Sequence, residues 1–475
     1  MAGQGRIVGR SGEAVDALLM DGYTFPASSS EQKVNTMRLM RLSIFKSLIF
    51  TLVLVPVASY AQTSSNGLSA SGTENQFSKV QRENLLNGLQ IVTFQNTGEP
   101  TIRCQIVIRA GSMFDSVGKA GLVALTQRTL LAVNPQLREE LESLQTKIEW
   151  GVDTDKTWFH LESNPANFEA ALEILSRLLV VENIRADAFK RAQADQLTLI
   201  KQGLHLPQRA DEAFAQALFG DYPYGRNVLG SELTVSNLRQ GDVYDVFQRF
   251  YLANNASVIL SGNIAPGKTL RAFKYLFGGW SKGAPVPATF RQPIQIATTK
   301  VVKLNGPQAT EVELRGGVTG VRYTSPEFLL TQLIVEILNT RWRKNENARD
   351  VAVNFETVPR LLPGPFYFSA RIEPGRAEAV SQRLTESFST LATSPITADE
   401  LSDARGRLLE RLNARPVEDW LRDIEAFSLP RNYPLTIKQR LEAATSADLQ
   451  ALAKRILEAN ALTLVLAGRV ESAGK

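Results

Sequence analysis

The side chains that most often do chemistry are scarce in this sequence of 475 residues: His160, His205 and Cys104 are its only histidines and its only cysteine. His160 alternates with Trp158 and Glu162 in "TWFHLES", the pattern of one face of a strand. His205 stands before Leu-Pro in "GLHLPQ", a loop or helix-end position. Zinc sites take mostly His, Cys and carboxylate ligands, and neither histidine has a partner at ligand spacing. No Gly-rich phosphate loop, nucleophile elbow or Cys–His pair stands out. Carboxylates are plentiful but scattered, as on a solvated surface. The residues therefore predict no metal or cofactor in this chain.

One stretch has the outline of a site without its chemistry. "RAGSMFDSVGKAGLVALTQRTL" reads as a turn opening into a helix, with Leu122, Leu125, Thr129 and Leu130 placed to face a sheet. A second stretch, "DYPYGRNVLGSELTVSNLRQGDVYDVFQRFYLANNASVILSGNI", carries Tyr222-Pro223-Tyr224, Gly230, Asp242, Phe250-Tyr251 and Asn254-Asn255-Ala256.

The chain also repeats itself. "YLANNASVILSGNI" returns as "ILEANALTLVLAGRV", each an Asn-bearing turn followed by an apolar strand that ends in Gly262 or Gly468. "TWFHLESNPANFEAALEILSRLL" returns as "FYFSARIEPGRAEAVSQRLTESF", each a strand, a proline turn and an amphipathic helix. A helix follows each, near Ile184 to Lys201 and near Thr397 to Leu412, the second with a capping box of Thr397 and Glu400. The order predicts an α+β protein of two similar domains, each a mostly antiparallel sheet flanked by helices.

In these three features the chain resembles the insulinase/pitrilysin metallopeptidases, the inverted-motif zincins, in their short two-domain form. The resemblance covers roughly residues 80 to 470. It implies half of a clamshell whose chamber holds an unfolded peptide. Active members carry His-x-x-Glu-His on the helix, with two zinc ligands, a general base and a further Glu downstream. Those positions fall here on Ala124, Gln127, Arg128 and Gln196. A methyl group donates nothing, an amide is no base at neutral pH, and a guanidinium repels a divalent cation. The resemblance also implies an Arg and a Tyr, seven residues apart, that orient the substrate carbonyl. Ungapped matching places Asn347 and Asn354 there. Arg343 or Arg349 supplies the arginine in a shifted register, and Arg360 and Tyr367 have the spacing but straddle "LPGPF".

The implied function is a non-catalytic subunit that pairs, as a heterodimer, with a zinc-bearing sister chain and binds peptide. The zinc belongs to that partner. The expected peptide-binding edge is Trp150, Gly151 and Val152, which read equally well as a plain hairpin. The alternative is a scaffold or binding protein without a catalytic partner.

Targeting and composition frame these readings. Arg38 and Arg41 precede the apolar run Ile44 to Val57, and Ser59 and Ala61 supply small residues before a cleavage point. The expected division is an extension without obvious role (1–36), a signal peptide (37–61), a polar disordered linker (62–76), a first domain with the degenerate metal site (77–285), a linker (286–294) and a second domain (295–475). Export to a periplasm follows, with no stable membrane insertion after cleavage. The net charge of +5 and the lack of a basic stripe argue against nucleic acid.

Overall fold

The structure, a computed structural model, describes residues 76–180, 184–284, 298–306, 308–345, 351–459 and 461–470, with 287, 290, 293 and 296 between them. The predicted extension (1–36), the signal peptide (37–61), nearly all of the polar linker (62–76), most of 286–294, and Asn347 and Arg349 lie outside the described residues. Everything described belongs to one compact unit, Asn66–Lys475.

Two sheets organise that unit. Strands β1 (Val80–Asn84), β2 (Gln90–Gln95), β3 (Ile102–Ile108), β4 (Lys147–Val152), β5 (Thr157–Ser163) and β6 (Ala256–Gly262) lie in the order β1-β2-β6-β3-β5-β4. Strands β7 (Lys300–Asn305), β8 (Val312–Thr319), β9 (Val353–Thr357), β10 (Pro365–Ile372) and β11 (Thr463–Gly468) lie in the order β7-β11-β8-β10-β9. In each sheet the last strand to arrive, β6 or β11, inserts parallel to one neighbour and antiparallel to the other. The echo in the sequence is thus an echo in topology, with β1 added to the first copy. The terminal glycines explain its most visible signature. Gly262 and Gly468 have φ of +108° and +139°, and a Cβ there would lie 2.1 Å from the Thr101 carbonyl and 2.3 Å from the Glu311 carbonyl.

The helices of the first half are α1 (Leu122–Ala132), α2 (Leu137–Ser143), α3 (Phe168–Leu179), α4 (Ala186–Gln202), α5 (Leu206–Phe219), α6 (Glu232–Ser236), α7 (Gln240–Phe250) and α8 (Pro266–Phe277). Those of the second are α9 (Phe328–Lys344), α10 (Ala377–Ser389), α11 (Ala398–Asn413), α12 (Val417–Phe427), α13 (Tyr433–Ala443) and α14 (Ser446–Ala459). The alternation in β3 buries Ile102, Cys104, Ile106 and Ile108 against Leu122 and Leu125 of α1 and Leu172 and Leu175 of α3. In the second half Phe366 and Phe368 of β10 pack on Phe388 of α10, with ring centroids 4.8 and 5.6 Å apart. Each such buried ring stabilises the fold by roughly 2–3 kcal/mol. The expected capping box opens α11: the Glu400 amide donates to Thr397 Oγ1 (3.2 Å) and the Thr397 amide to Glu400 Oε2 (3.1 Å).

The opposite sheet faces are covered by exchange. Val92, Phe94, Val107 and Ile259 of the first sheet join the core that contains Leu421 and Ile424 of α12. Phe214, Ala217 and Leu218 of α5 pack with Val465 of β11, Val302 of β7 and Tyr367 of β10. Each half lends one helix to the other's sheet, so separating them would expose an apolar face on both. Ion pairs flank the exchange, Arg103 with Glu418 at 2.7 Å and Arg315 with Asp211 at 2.6 Å.

Candidate functional site

The turn-and-helix of α1 is held by its own loop. Asp115 is buried and caps the helix, accepting from the Gly121 amide at Oδ2 and the Val123 amide at Oδ1, both 2.8 Å. The chain then crosses itself. Gly121 (φ +92°) runs against Leu229, and Gly230 (φ +76°) against Ala120, where a Cβ would lie 2.2 Å from the carbonyl oxygen. This crossing brings the Gly230 stretch, over a hundred residues downstream, to the start of α1.

Of the four positions that the resemblance assigns to the metal, Ala124, Gln127 and Arg128 lie on α1 and Gln196 on α4, which meets the start of α1. Ala124 is buried on the inner face of α1. Gln127 is buried too, and its Nε2 donates to the carbonyls of Gly151 (3.1 Å) and Trp158 (3.2 Å), fastening α1 to the β4–β5 hairpin. Gln196 of α4 is fully buried, and its Nε2 donates to the carbonyls of Gly121 (3.0 Å) and Leu229 (2.8 Å), closing the crossing from the other side. Arg128 is half-buried; burial lowers its pKa and Asp195 opposes that effect. A zinc ion does not fit this set. Two of the side chains present N–H groups to carbonyls, one is a methyl and one is a cation.

The residues that are chemically competent elsewhere stay apart. Cys104 is buried on β3, and desolvation pushes its thiol upward. His160 sits on β5 between Glu149 and Glu162, with burial lowering its pKa. His205 precedes α5, its amide donating to Gln208 Oε1 at 3.0 Å. Among the described residues no group of three His, Cys, Asp or Glu is placed to hold a metal.

Trp150, Gly151 and Val152 end strand β4, the outer strand of the first sheet on that side. The Asp153 amide closes the hairpin onto the Lys156 carbonyl at 2.9 Å. The alternation of an antiparallel ladder then pairs Gly151 with Trp158 and turns the amides and carbonyls of Trp150 and Val152 outward. Gly151 lies flat on the Trp158 ring, where a Cβ would meet Cζ2 at 2.7 Å. Arg138 of α2 covers the Trp150 ring at 4.6 Å.

The Arg and Tyr candidates are dispersed. Asn354 is exposed on β9, opposite Ser369 of β10. Arg343 is exposed near the end of α9, its Nε donating to the Asn339 carbonyl at 3.1 Å. Arg360 donates to Asp155 Oδ2 at 3.2 Å and lies over the Tyr224 ring, while Tyr367 stacks on Phe214 at 5.4 Å. Both face the junction between the halves.

That junction holds the cluster that sequence reasoning missed. The buried Asp155 carboxylate accepts from Tyr224 Oη (2.5 Å), Arg360 Nη1 (3.2 Å) and the Leu361 amide (3.3 Å). Tyr224 Oη in turn accepts from the Leu362 amide at 2.9 Å. Burial pushes the Asp155 carboxyl upward, Arg360 pulls against it, and the Asp153 charge adds to the push. The available signal was Tyr222-Pro223-Tyr224, which does not say where the hydroxyl of Tyr224 goes.

Comparison with known proteins agrees with this architecture. Residues 237–408 match the family model described as the peptidase M16 inactive domain. A chain described as a zinc protease in Rickettsia bellii is 21% identical over 407 residues, which cover 80% of this chain and 96% of that one. A crystal structure of a peptidase M16 inactive domain from Pseudomonas fluorescens superposes with a TM-score of 0.73 at 18% identity, covering 83% of this chain and 99% of that one. The periplasmic protease PqqL from Escherichia coli gives a TM-score of 0.70 at 13% identity, covering 83% of this chain but 49% of PqqL. The fold is that of the M16 half-clamshells. The chain is thus similar to insulinase-type peptidases, including the inactive domain that the family model describes, and the positions that the sequence resemblance assigns to the metal carry Ala124, Gln127, Arg128 and Gln196.

Proposed function

We propose that this chain is the non-catalytic subunit of an exported peptidase, pairing with a zinc-bearing sister chain and gripping the unfolded peptide that the sister cleaves. One observation carries the reading: Gln127 and Gln196, at two of the expected metal positions, serve as hydrogen-bonded supports, while among the described residues the outer edge of β4 carries no second strand. A peptide strand added there would bond to the outward amides and carbonyls of Trp150 and Val152, as in edge-strand recognition. The length of PqqL, about twice the matched region, supports pairing of one such unit with another. Its periplasmic setting, with the signal-like segment 37–61, supports export. Among the described residues no helix is long and apolar enough to cross a membrane.

The test is purification of the chain from its native host under mild conditions. The expected result is an equimolar complex with a similar chain, containing zinc and cleaving unfolded peptides, whereas this chain alone does not. Hydrogen exchange at the Trp150 and Val152 amides slows when peptide is added. Peptide protection with no zinc-bearing companion would favour the binding-protein reading, and lack of both would sink the proposal.

A further inference from the structure

Strand β4 has two unlike faces along its outer edge. Ile148, Trp150 and Val152 point to the helices and join the core around α1 and α3. Lys147, Glu149 and Gly151 point the other way, beside Glu162, His160 and Trp158 of β5. Helix α12 covers that second face at β2, β3 and β6, and Lys147 and Glu149 at its margin are exposed. Gly151 has no side chain, and the half-buried indole of Trp158 takes its place: a Cβ there would meet Cζ2 at 2.7 Å and Nε1 at 3.0 Å. An aromatic ring edge therefore lies over the outermost strand. A strand added antiparallel to β4 would bond through the outward amides and carbonyls of Ile148, Trp150 and Val152. Its residues opposite Gly151, Glu149 and Lys147 then fall in the closer, non-hydrogen-bonded pairs, with their side chains on the face of the indole and the two charges.

We infer that this face sets peptide preference and register: it takes an extended antiparallel peptide with an aromatic residue opposite Gly151, a basic residue two positions later opposite Glu149, and an acidic residue two further on opposite Lys147. This rests on the reading of β4 as the peptide-binding strand. The incoming aromatic ring meets the edge of the Trp158 indole, an arrangement that aromatic pairs favour. The alternating charges fix the register. A slide of two residues one way sets the peptide's basic residue against Lys147, and a slide the other way sets its acidic residue against Glu149.

The test uses the full chain and four fluorescent unfolded peptides with the same neutral flanks. Their centres are Phe-Ser-Lys-Ser-Glu, the same with Ala for Phe, the same with the two charges exchanged, and the first in reverse order. The first binds about three- to tenfold more tightly than its Ala counterpart, and about fivefold more tightly than the charge-exchanged peptide. Only the charge preference shrinks with added salt. It inverts in the double variant Lys147→Glu, Glu149→Lys, at two exposed positions, and the aromatic preference is lost in Trp158→Leu. Tightest binding of the reversed peptide would overturn the antiparallel placement. Equal affinity for all four, with the Trp150 and Val152 amides protected in each complex, would overturn the subsite and leave the peptide-binding reading standing. Failure of every peptide to bind would overturn both. Comparison of the four peptides on the unaltered chain needs no variant to fold.

Discussion

The Tyr224 hydroxyl donates a 2.5 Å hydrogen bond to the buried carboxylate of Asp155, at the turn of the β4–β5 hairpin. The same hydroxyl accepts from the Leu362 amide, so one oxygen ties the first half's hairpin to the second half's loop. In Tyr224→Phe the ring still packs, but Asp155 loses its shortest partner and the Leu362 amide loses its acceptor. A loss of about 2–3 kcal/mol is expected. Urea unfolding would show it as a lower midpoint with unchanged slope. A change below about 0.5 kcal/mol would mean that this contact does not hold the halves together.

Gln127 acts as a donor, which decides what restoring a catalytic motif would do. In Gln127→Glu a carboxylate faces the carbonyls of Gly151 and Trp158 in place of an amide. The unpaired groups cost about 2–4 kcal/mol. Ala124→His forces an imidazole into a packed position, at roughly 1–3 kcal/mol. The triple variant Ala124→His, Gln127→Glu, Arg128→His is expected to unfold at lower temperature and to leave an unfolded peptide uncut with zinc present. Full stability together with stoichiometric zinc would show that the frame had stayed ready for metal.

Two glycines separate backbone conformation from chain crossing. Gly118 and Gly230 have φ of +78° and +76°, but a Cβ at Gly118 meets nothing within 4 Å, while one at Gly230 meets Ala120. Gly118→Ala is expected to cost about 1 kcal/mol, the conformational share alone. Gly230→Ala is expected to cost at least about 2 kcal/mol more, since the crossing at α1 must part. Equal losses in denaturant melts would remove the crossing from this account.

Glu212 on α5 links stability to pH. Burial, with the charge of Asp211, pushes its carboxyl up to about 7. The folded state therefore holds a proton that the unfolded state releases near the ordinary carboxylate pKa of about 4.3. Stability from this group is present below that value and lost as pH rises through about 7. Glu212→Gln keeps an oxygen for the Asn227 amide, which donates to Glu212 Oε1 at 2.5 Å. The variant is expected to show a flatter melting profile from pH 5 to 8 and to melt about 2 °C above the parent at pH 8. A parallel profile for the two proteins would assign the pH dependence elsewhere.

Much of the fold was legible because it is written in short-range pattern. The alternation of Ile102, Cys104, Ile106 and Ile108 marks a strand whatever lies beside it. The Thr397–Glu400 cap needs only its own turn. The repeated glycines at 262 and 468 record one backbone geometry used twice. The exchange of α5 and α12 was hidden, since an apolar stripe such as Trp420, Leu421 and Ile424 does not say which sheet it covers. Asp155 was hidden as well, because an acidic turn residue defaults to solvent until Tyr224 and Arg360 are seen around it.

The sequence by itself determined what the positions that the resemblance assigns to a metal cannot do: a methyl group, two amides and a guanidinium lack the donor chemistry of a zinc site in any fold. Only the tertiary structure decided what they do instead. Gln127 bonds to carbonyls on β4 and β5, and Gln196 to carbonyls at Gly121 and Leu229. The physical reason is one of range. The chemistry of a side chain is fixed by its own atoms, whereas its hydrogen-bond partners are chosen when packing brings distant segments together.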